Sequence, residues 1–193
     1  MHPLLQHINN QIPFDEEAFN EILPNFELVR FPKKHQLIQH QQYVKHQYFV
    51  LKGCLRTFLI DPAGKEHTMQ FAIVNWWVSD YLSYYKEIPS IYTVECLEDC
   101  EMLKVSKTQL TTLFETTPRL ETYFRKQLEN AFTAFQKRIL GSLTMTAEER
   151  YAAFVDTYPN IEQRVKNYQI ASYLGITAES LSRIRKQRLG NLD

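Results

Sequence analysis

The sequence predicts an α+β chain: a jelly-roll-like, double-stranded β-helix between helical segments, a long helix, and a C-terminal helix-turn-helix domain. Three observations predict it. From Phe26 to Val105 the chain is cut into short β-branched and aromatic runs. After Ser106 the apolar period lengthens from two residues to between three and four. Near the C-terminus two short apolar-faced helices meet at Gly175.

The first ~25 residues read as helical by apolar spacing. Leu4, Leu5 and Ile8 share one face. A second short helix begins near Asp15, carries Phe19, Ile22 and Leu23, and stops at Pro24. The β region follows as FELVRF, QLIQ, YFVLKG, LRTFLI, TMQFAIV, YTVECL and CEMLKV. Pro32-Lys33-Lys34, Lys52-Gly53, Asp61-Pro62-Ala63-Gly64, Pro89-Ser90 and Glu98-Asp99 supply the turns. Many short strands at this spacing predict an all-β barrel or jelly roll, which hides strand edges by wrapping.

Ser106 to Gln109 can start a short helix through Leu110, Leu113 and Phe114. Pro118 fits the first turn of a long helix, with Thr116 or Thr117 as cap. Leu120, Phe124, Leu128, Ala131, Phe135, Ile139 and Leu143 form one stripe, spaced much like a coiled-coil seam. The stripe needs a partner: its own β domain, or the same helix of a second copy. Thr146 caps another helix with Glu148 and Glu149 in its first turn; Tyr151, Phe154, Val155 and Tyr158 face inward, and Pro159 ends it. The division expected is residues 1–117 for the β-roll, 118–143 for the long helix and 144–193 for the C-terminal domain.

Composition bounds the function. Apolar residues make up 44% and charged residues 23% of 193, ordinary for a globular chain. Net charge is zero, but residues 161–193 hold six basic and three acidic side chains, leaving the first 160 residues net acidic. Such an asymmetry suits a DNA-binding end on a mildly acidic body. Three cysteines, Cys54, Cys96 and Cys100, suit a reducing compartment and are too few for a closed zinc or iron–sulfur site. No run approaches the ~20 apolar residues that span a bilayer. The N-terminus lacks a secretory pattern, so a cytoplasmic protein without membrane contact is expected. No His-x-His, Ser-His-Asp or phosphate-loop pattern occurs; the six histidines are scattered. No enzyme activity and no cofactor are expected.

The segment Val165–Lys186 carries the function. Ile170, Ala171 and Leu174 face inward on the first helix, and Gly175 supplies the left-handed residue that ends it. Ile176 plugs the turn and Thr177 caps the second helix, which buries Leu181 and Ile184. Ala178, Glu179, Ser182, Arg183, Arg185 and Lys186 are left outside. This is the layout of a major-groove reader. Glu179 can accept from a cytosine amine, and Arg183 can donate to guanine or clamp a phosphate. Lys166, Lys186 and Arg188 can hold the backbone of double-stranded DNA.

Gln169 to Ile184 resembles the helix-turn-helix of the cyclic-AMP receptor protein/fumarate–nitrate regulator (Crp/Fnr) family, in which the recognition helix carries Ser/Thr, then x-Glu-Thr/Ser, then Arg. Thr177, Glu179, Ser180 and Arg183 stand at those positions. Tyr48–Gly53 resembles a strand and turn of the family's cyclic-nucleotide-binding-type β-roll, and Asp61–Glu66 its hairpin. The resemblance implies a homodimeric transcription regulator on a near-palindromic operator. Thr177, Ala178, Glu179, Ser180, Ser182, Arg183 and Lys186 would face DNA, and RNA polymerase would be a further partner.

Two departures stand out. Members that bind cyclic nucleotides hold the phosphate with a Gly-Glu-Leu turn and an Arg-Ser/Thr-Ala helix start. Here the stretches are Trp76–Tyr81 and Ser90–Val94, without glycine or arginine, and Asp80 would repel a phosphate. Cyclic AMP is therefore not the expected ligand. A pocket at Trp77, Ser79, Asp80, Tyr81, Tyr92 and Thr93 would hold an unidentified small-molecule effector, or nothing. Little or no C-terminal wing is expected after Arg188. The iron–sulfur relatives place cluster cysteines near the N-terminus, and no cysteine precedes Cys54. The competing expectation is a ligand-binding β-roll with a vestigial DNA reader.

Overall fold

A computed structural model describes residues 1–190, with side chains through Arg188. It opens with α1 (Pro3–Asn9) and α2 (Glu16–Ile22), capped by His2 and Asp15. A short 3-10 turn, Leu23–Asn25, takes up Pro24. Eight strands follow: β1 (Glu27–Phe31), β2 (Gln36–Ile38), β3 (His46–Lys52), β4 (Leu55–Ile60), β5 (Glu66–Ala72), β6 (Trp77–Val78), β7 (Thr93–Cys96) and β8 (Cys100–Ser106). A helix, α3 (Tyr81–Lys86), lies between β6 and β7. After β8 come α4 (Lys107–Thr116), α5 (Pro118–Thr144), α6 (Ala147–Thr157), α7 (Asn167–Leu174) and α8 (Ala178–Gly190).

The strands form two four-stranded sheets, ordered β1-β8-β3-β6 and β2-β7-β4-β5. β8 lies antiparallel to both β1 and β3. Leu37, Val50, Leu55, Val78, Val94 and Met102, drawn from both sheets, share one buried cluster. The other face of the first sheet is also covered. Phe49, Trp77, Leu103 and Val105 join Leu4, Ile8, Phe19, Leu110, Leu120 and Tyr123 in a second cluster. β3 therefore buries both faces, Tyr48 and Val50 on one and Phe49 on the other, as period-two alternation requires. Gly53 turns the chain from β3 to β4 at φ 102°; a Cβ there would sit 2.5 Å from Cys100 Sγ, so only glycine fits.

The helix starts follow their local chemistry. Ser106 and Gln109 make a reciprocal capping box on α4, as do Thr146 and Glu149 on α6. Two elements were not anticipated. β6 is only two residues long, too short for a visible period, and α3 is a six-residue helix with Asp80 as its N-cap.

The chain divides into two compact units, residues 1–57 with 71–132, and residues 58–70 with 133–193. The tip of the β4–β5 hairpin groups with the C-terminal helices, and α5 is shared between units. The expectation about a C-terminal wing falls on residues 189–193, where the side chains of 189 and 190 and the whole of 191–193 lie outside the described residues.

Candidate nucleic-acid interface

α7 and α8 are joined by Gly175, Ile176 and Thr177. Gly175 adopts φ 69°, and its amide bonds back to α7 carbonyls. The Ile176 amide reaches Ala171 O at 3.0 Å, closing the helix end. At the start of α7, Gln169 is buried and accepts from the Lys166 amide at 3.1 Å. Ile170, Ala171, Leu174, Leu181 and Ile184 are all buried, as the apolar spacing predicts.

The opposite face of α8 is open. Thr177, Glu179, Ser182, Arg183 and Lys186 are exposed; Ala178 and Ser180 are half-buried. The seven residues fall within Thr177–Lys186, at the N-terminal end of α8. Thr177 Oγ1 accepts from the Ser180 amide at 3.2 Å, which makes it the cap. Arg183 Nη2 donates to Ser180 Oγ at 3.2 Å, so the guanidinium lies along the first turn. The Glu179 carboxyl is held below the usual carboxylate range, first by its own backbone amide, then by the Thr177 hydroxyl, with the Arg183 charge adding. The exposed end thus offers an acceptor, a donor fork and hydroxyls, the group types that read base edges.

Arg185 corrects the sequence reading. The apolar spacing puts it outside with the basic face, but its Nε pairs with Glu162 Oε1 at 2.7 Å and donates to Tyr151 Oη at 3.3 Å. Nη1 donates to Asn167 Oδ1. A side chain on α8 bends back because Glu162 and Tyr151 present an anion and an aromatic oxygen within reach. Sequence spacing cannot show that, since Glu162 lies on another element.

The six residues expected to form an effector pocket do not share one environment. Trp77 points into the helix-side core, against Phe49 and Phe124, and its Nε1 donates to Tyr123 Oη at 2.8 Å. Asp80 is buried and caps α3, accepting from the Leu82 and Ser83 amides at 3.0 and 3.2 Å and from Ser90 Oγ at 2.7 Å. Ser79 Oγ donates to His46 O at 2.9 Å. Burial pushes the Tyr81 hydroxyl above its ordinary range. Strand alternation turns Thr93 away from Val94 and Cys96, which belong to the cluster between the sheets. Tyr92 is half-buried. A surface hollow of about 510 Å³, lined by residues 35–37 and 39–42, includes none of the six. Sequence reading passed over one fully buried cation, Arg56 on β4.

The long helix keeps its expected stripe but not a covered one. Leu120 and Phe124 are buried, whereas Leu128, Phe135, Ile139 and Leu143 are exposed, the last at 76%. Phe132, passed over in favour of Ala131, is 61% exposed and sits on the same face. Leu128, Phe132, Phe135 and Ile139 are spaced four, three, four, a coiled-coil alternation. Among the described residues no helix is long and apolar enough to cross a membrane, and no group of three His, Cys, Asp or Glu is placed to hold a metal ion.

Comparison with known proteins agrees with this architecture. Residues 28–117 match the cyclic nucleotide-binding domain family. The anaerobic regulatory protein of Aggregatibacter actinomycetemcomitans is 27% identical over 161 residues, covering 75% of this chain and 61% of that protein. Its counterpart from Pasteurella multocida is 26% identical, with 57% of that protein covered. The chain thus spans about three fifths of the length of these relatives. FixK2 of Bradyrhizobium japonicum superposes with a TM-score of 0.75 at 16% identity, over 86% of this chain and 85% of that one. The global regulator CLP of Xanthomonas campestris, described as responsive to c-di-GMP, gives 0.72 at 14% identity over 92% and 93%. At such identities the two structures speak for the fold. The family domain over the β-roll, the anaerobic regulatory proteins among the relatives, and the Thr177, Glu179, Ser180 and Arg183 pattern on α8 together make this chain similar to the Crp/Fnr family of transcription regulators.

Proposed function

We propose that the protein is a cytoplasmic regulator that binds double-stranded DNA as a homodimer, with α8 as its recognition helix. The observation that carries this reading is the two-faced character of α8. Leu181 and Ile184 anchor it, while Thr177, Glu179, Ser182, Arg183 and Lys186 are exposed near its capped N-terminal end. A major-groove reader presents its N-terminal side chains in this way. Ala178 and Ser180 complete the contact set, and Lys166, Lys186 and Arg188 hold phosphates.

The exposed stripe of α5 supports the dimer. An apolar row at coiled-coil spacing on an isolated chain is an unmet interface, and the same row on a second copy satisfies it by two-fold symmetry. The two recognition helices would then enter successive major grooves roughly 34 Å apart, on a near-palindromic site. RNA polymerase is the partner through which such a protein would act.

Cyclic AMP is not the effector in this reading. Asp80 occupies the α3 amides with a carboxylate, and a phosphate would meet that charge. A different small molecule, or none, is the alternative. The test is selection from random duplexes at two salt concentrations. An enriched near-palindrome whose binding weakens steeply with salt is the expected result. Weak, unselective binding at both salts, with and without cell extract, would instead mark a β-roll protein whose reader is vestigial.

A further inference from the structure

Ser172 lies near the C-terminal end of α7, the helix that precedes the recognition helix. Its hydroxyl oxygen is 2.9 Å from Thr68 N and 2.9 Å from Glu66 O. It accepts from the Thr68 amide and donates to the Glu66 carbonyl. β5 is the outer strand of its sheet, and these are groups that a neighbouring strand would otherwise pair. One hydroxyl therefore stands in for a strand and closes two edge positions at once.

A second tie lies beside it. Arg138 on α5 donates to Met69 O, and its guanidinium lies 4.6 Å from the centre of the Tyr173 ring. Consecutive residues of α7, Ser172 and Tyr173, thus meet the hairpin directly and through an arginine. The hairpin is itself braced. Asp61 Oδ1 accepts from the Ala63 and Lys65 amides at 2.9 and 3.0 Å, and Asp61 Oδ2 lies 2.8 Å from His67 Nε2. Residues 58–70, α7 and α8 fall in the same compact unit.

We infer that the β4–β5 hairpin is a structural part of the DNA-reading unit, and that Ser172 is a positioning residue that holds α7, and with it α8, against β5. The inference rests on the proposal that α8 reads DNA. Ser172 does not belong to the exposed set on α8 and touches no base in that proposal. Its contribution is orientation: a helix pair fixed before binding loses less freedom when it docks.

The experiment compares the full-length protein with Ser172→Ala and Ser172→Thr. It follows Thr68 amide exchange, affinity for the selected duplex and the selected sequence. In Ser172→Ala the Thr68 amide should exchange about tenfold faster, as expected for loss of about one net hydrogen bond. Affinity should fall several-fold while the preferred sequence stays the same, and Ser172→Thr should restore both. Unchanged Thr68 exchange in Ser172→Ala overturns the tie. Faster exchange with unchanged affinity overturns the positioning role. If the wild-type protein selects no duplex, the DNA reading fails and the positioning role falls with it; the exchange measurement still decides whether Ser172 holds the hairpin.

Discussion

Trp77 Nε1 donates to the Tyr123 hydroxyl across 2.8 Å, joining the shortest strand of the β-roll to the first half of the long helix. The Tyr123 hydrogen is then available to His7 Nδ1, 2.7 Å away on α1. Tyr123 is fully buried, and burial pushes its hydroxyl well above the ordinary tyrosine range. Three elements distant in sequence meet at one oxygen. Tyr123→Phe would leave the indole N–H and the imidazole nitrogen without that partner, at a cost of about 2–3 kcal/mol. Urea unfolding followed by tryptophan fluorescence checks it; an unshifted midpoint would mean the three groups do not meet.

The same site has a pH signature. Burial lowers the His7 pKa, so the folded state binds fewer protons there than the unfolded state. Stability from this residue is complete above about pH 6.5 and is lost as pH falls through that value toward the folded pKa. His2 and His46 are shifted the same way by burial, so the loss is shared. Unfolding free energy measured from pH 8 to 5 should fall toward acid, less steeply in His7→Gln. Parallel curves would remove His7 from the account.

Arg183 and Lys186 should separate in binding assays. Arg183→Ala should cost about 1–3 kcal/mol and relax the preference at one base pair of each half-site. Lys186→Ala should weaken all sequences alike and reduce the salt slope by about one. If Arg183→Ala keeps the full preference, Arg183 does not read bases.

Arg185 should behave differently from both. Its links to Glu162, Tyr151 and Asn167 are partly exposed, so Arg185→Ala should destabilise the chain by about 1–2 kcal/mol. Thermal melting of Arg185→Ala beside Lys186→Ala is the comparison, and equal midpoints would contradict the inward placement.

The exposed seam of α5 predicts the oligomeric state. Light scattering at tens of micromolar should find a dimer for the wild type and a monomer for the double variant Phe132→Glu/Phe135→Glu. Both positions are at least half exposed, so the monomer itself should lose little, within about 0.5 kcal/mol. A wild-type monomer at that concentration would end the dimer model.

Much of this was legible in the sequence because it depends on near neighbours. Ser106 with Gln109, Thr146 with Glu149, and Gly175 before Thr177 are cap and turn signals read within a few residues. The inner set Ile170, Ala171, Leu174, Leu181 and Ile184 followed from period alone, and its burial leaves the face carrying Glu179 and Arg183 open. The β-roll was legible from turn spacing. β6 was not, because two residues cannot display a period.

What the sequence by itself determined is the order of elements, their caps, and which face of each helix is apolar, since these are set by residues three or four apart. The tertiary structure decided the rest. It sent Trp77 to the helix-side core because β6 pairs with β3, whose outer face is roofed by α1, α4 and α5. It turned Arg185 inward because Glu162 lies across from it. It gave the hairpin tip to the C-terminal helices because Ser172 meets an open strand edge more than a hundred residues away. Each outcome depends on which distant groups arrive within hydrogen-bonding reach, and no local pattern encodes that.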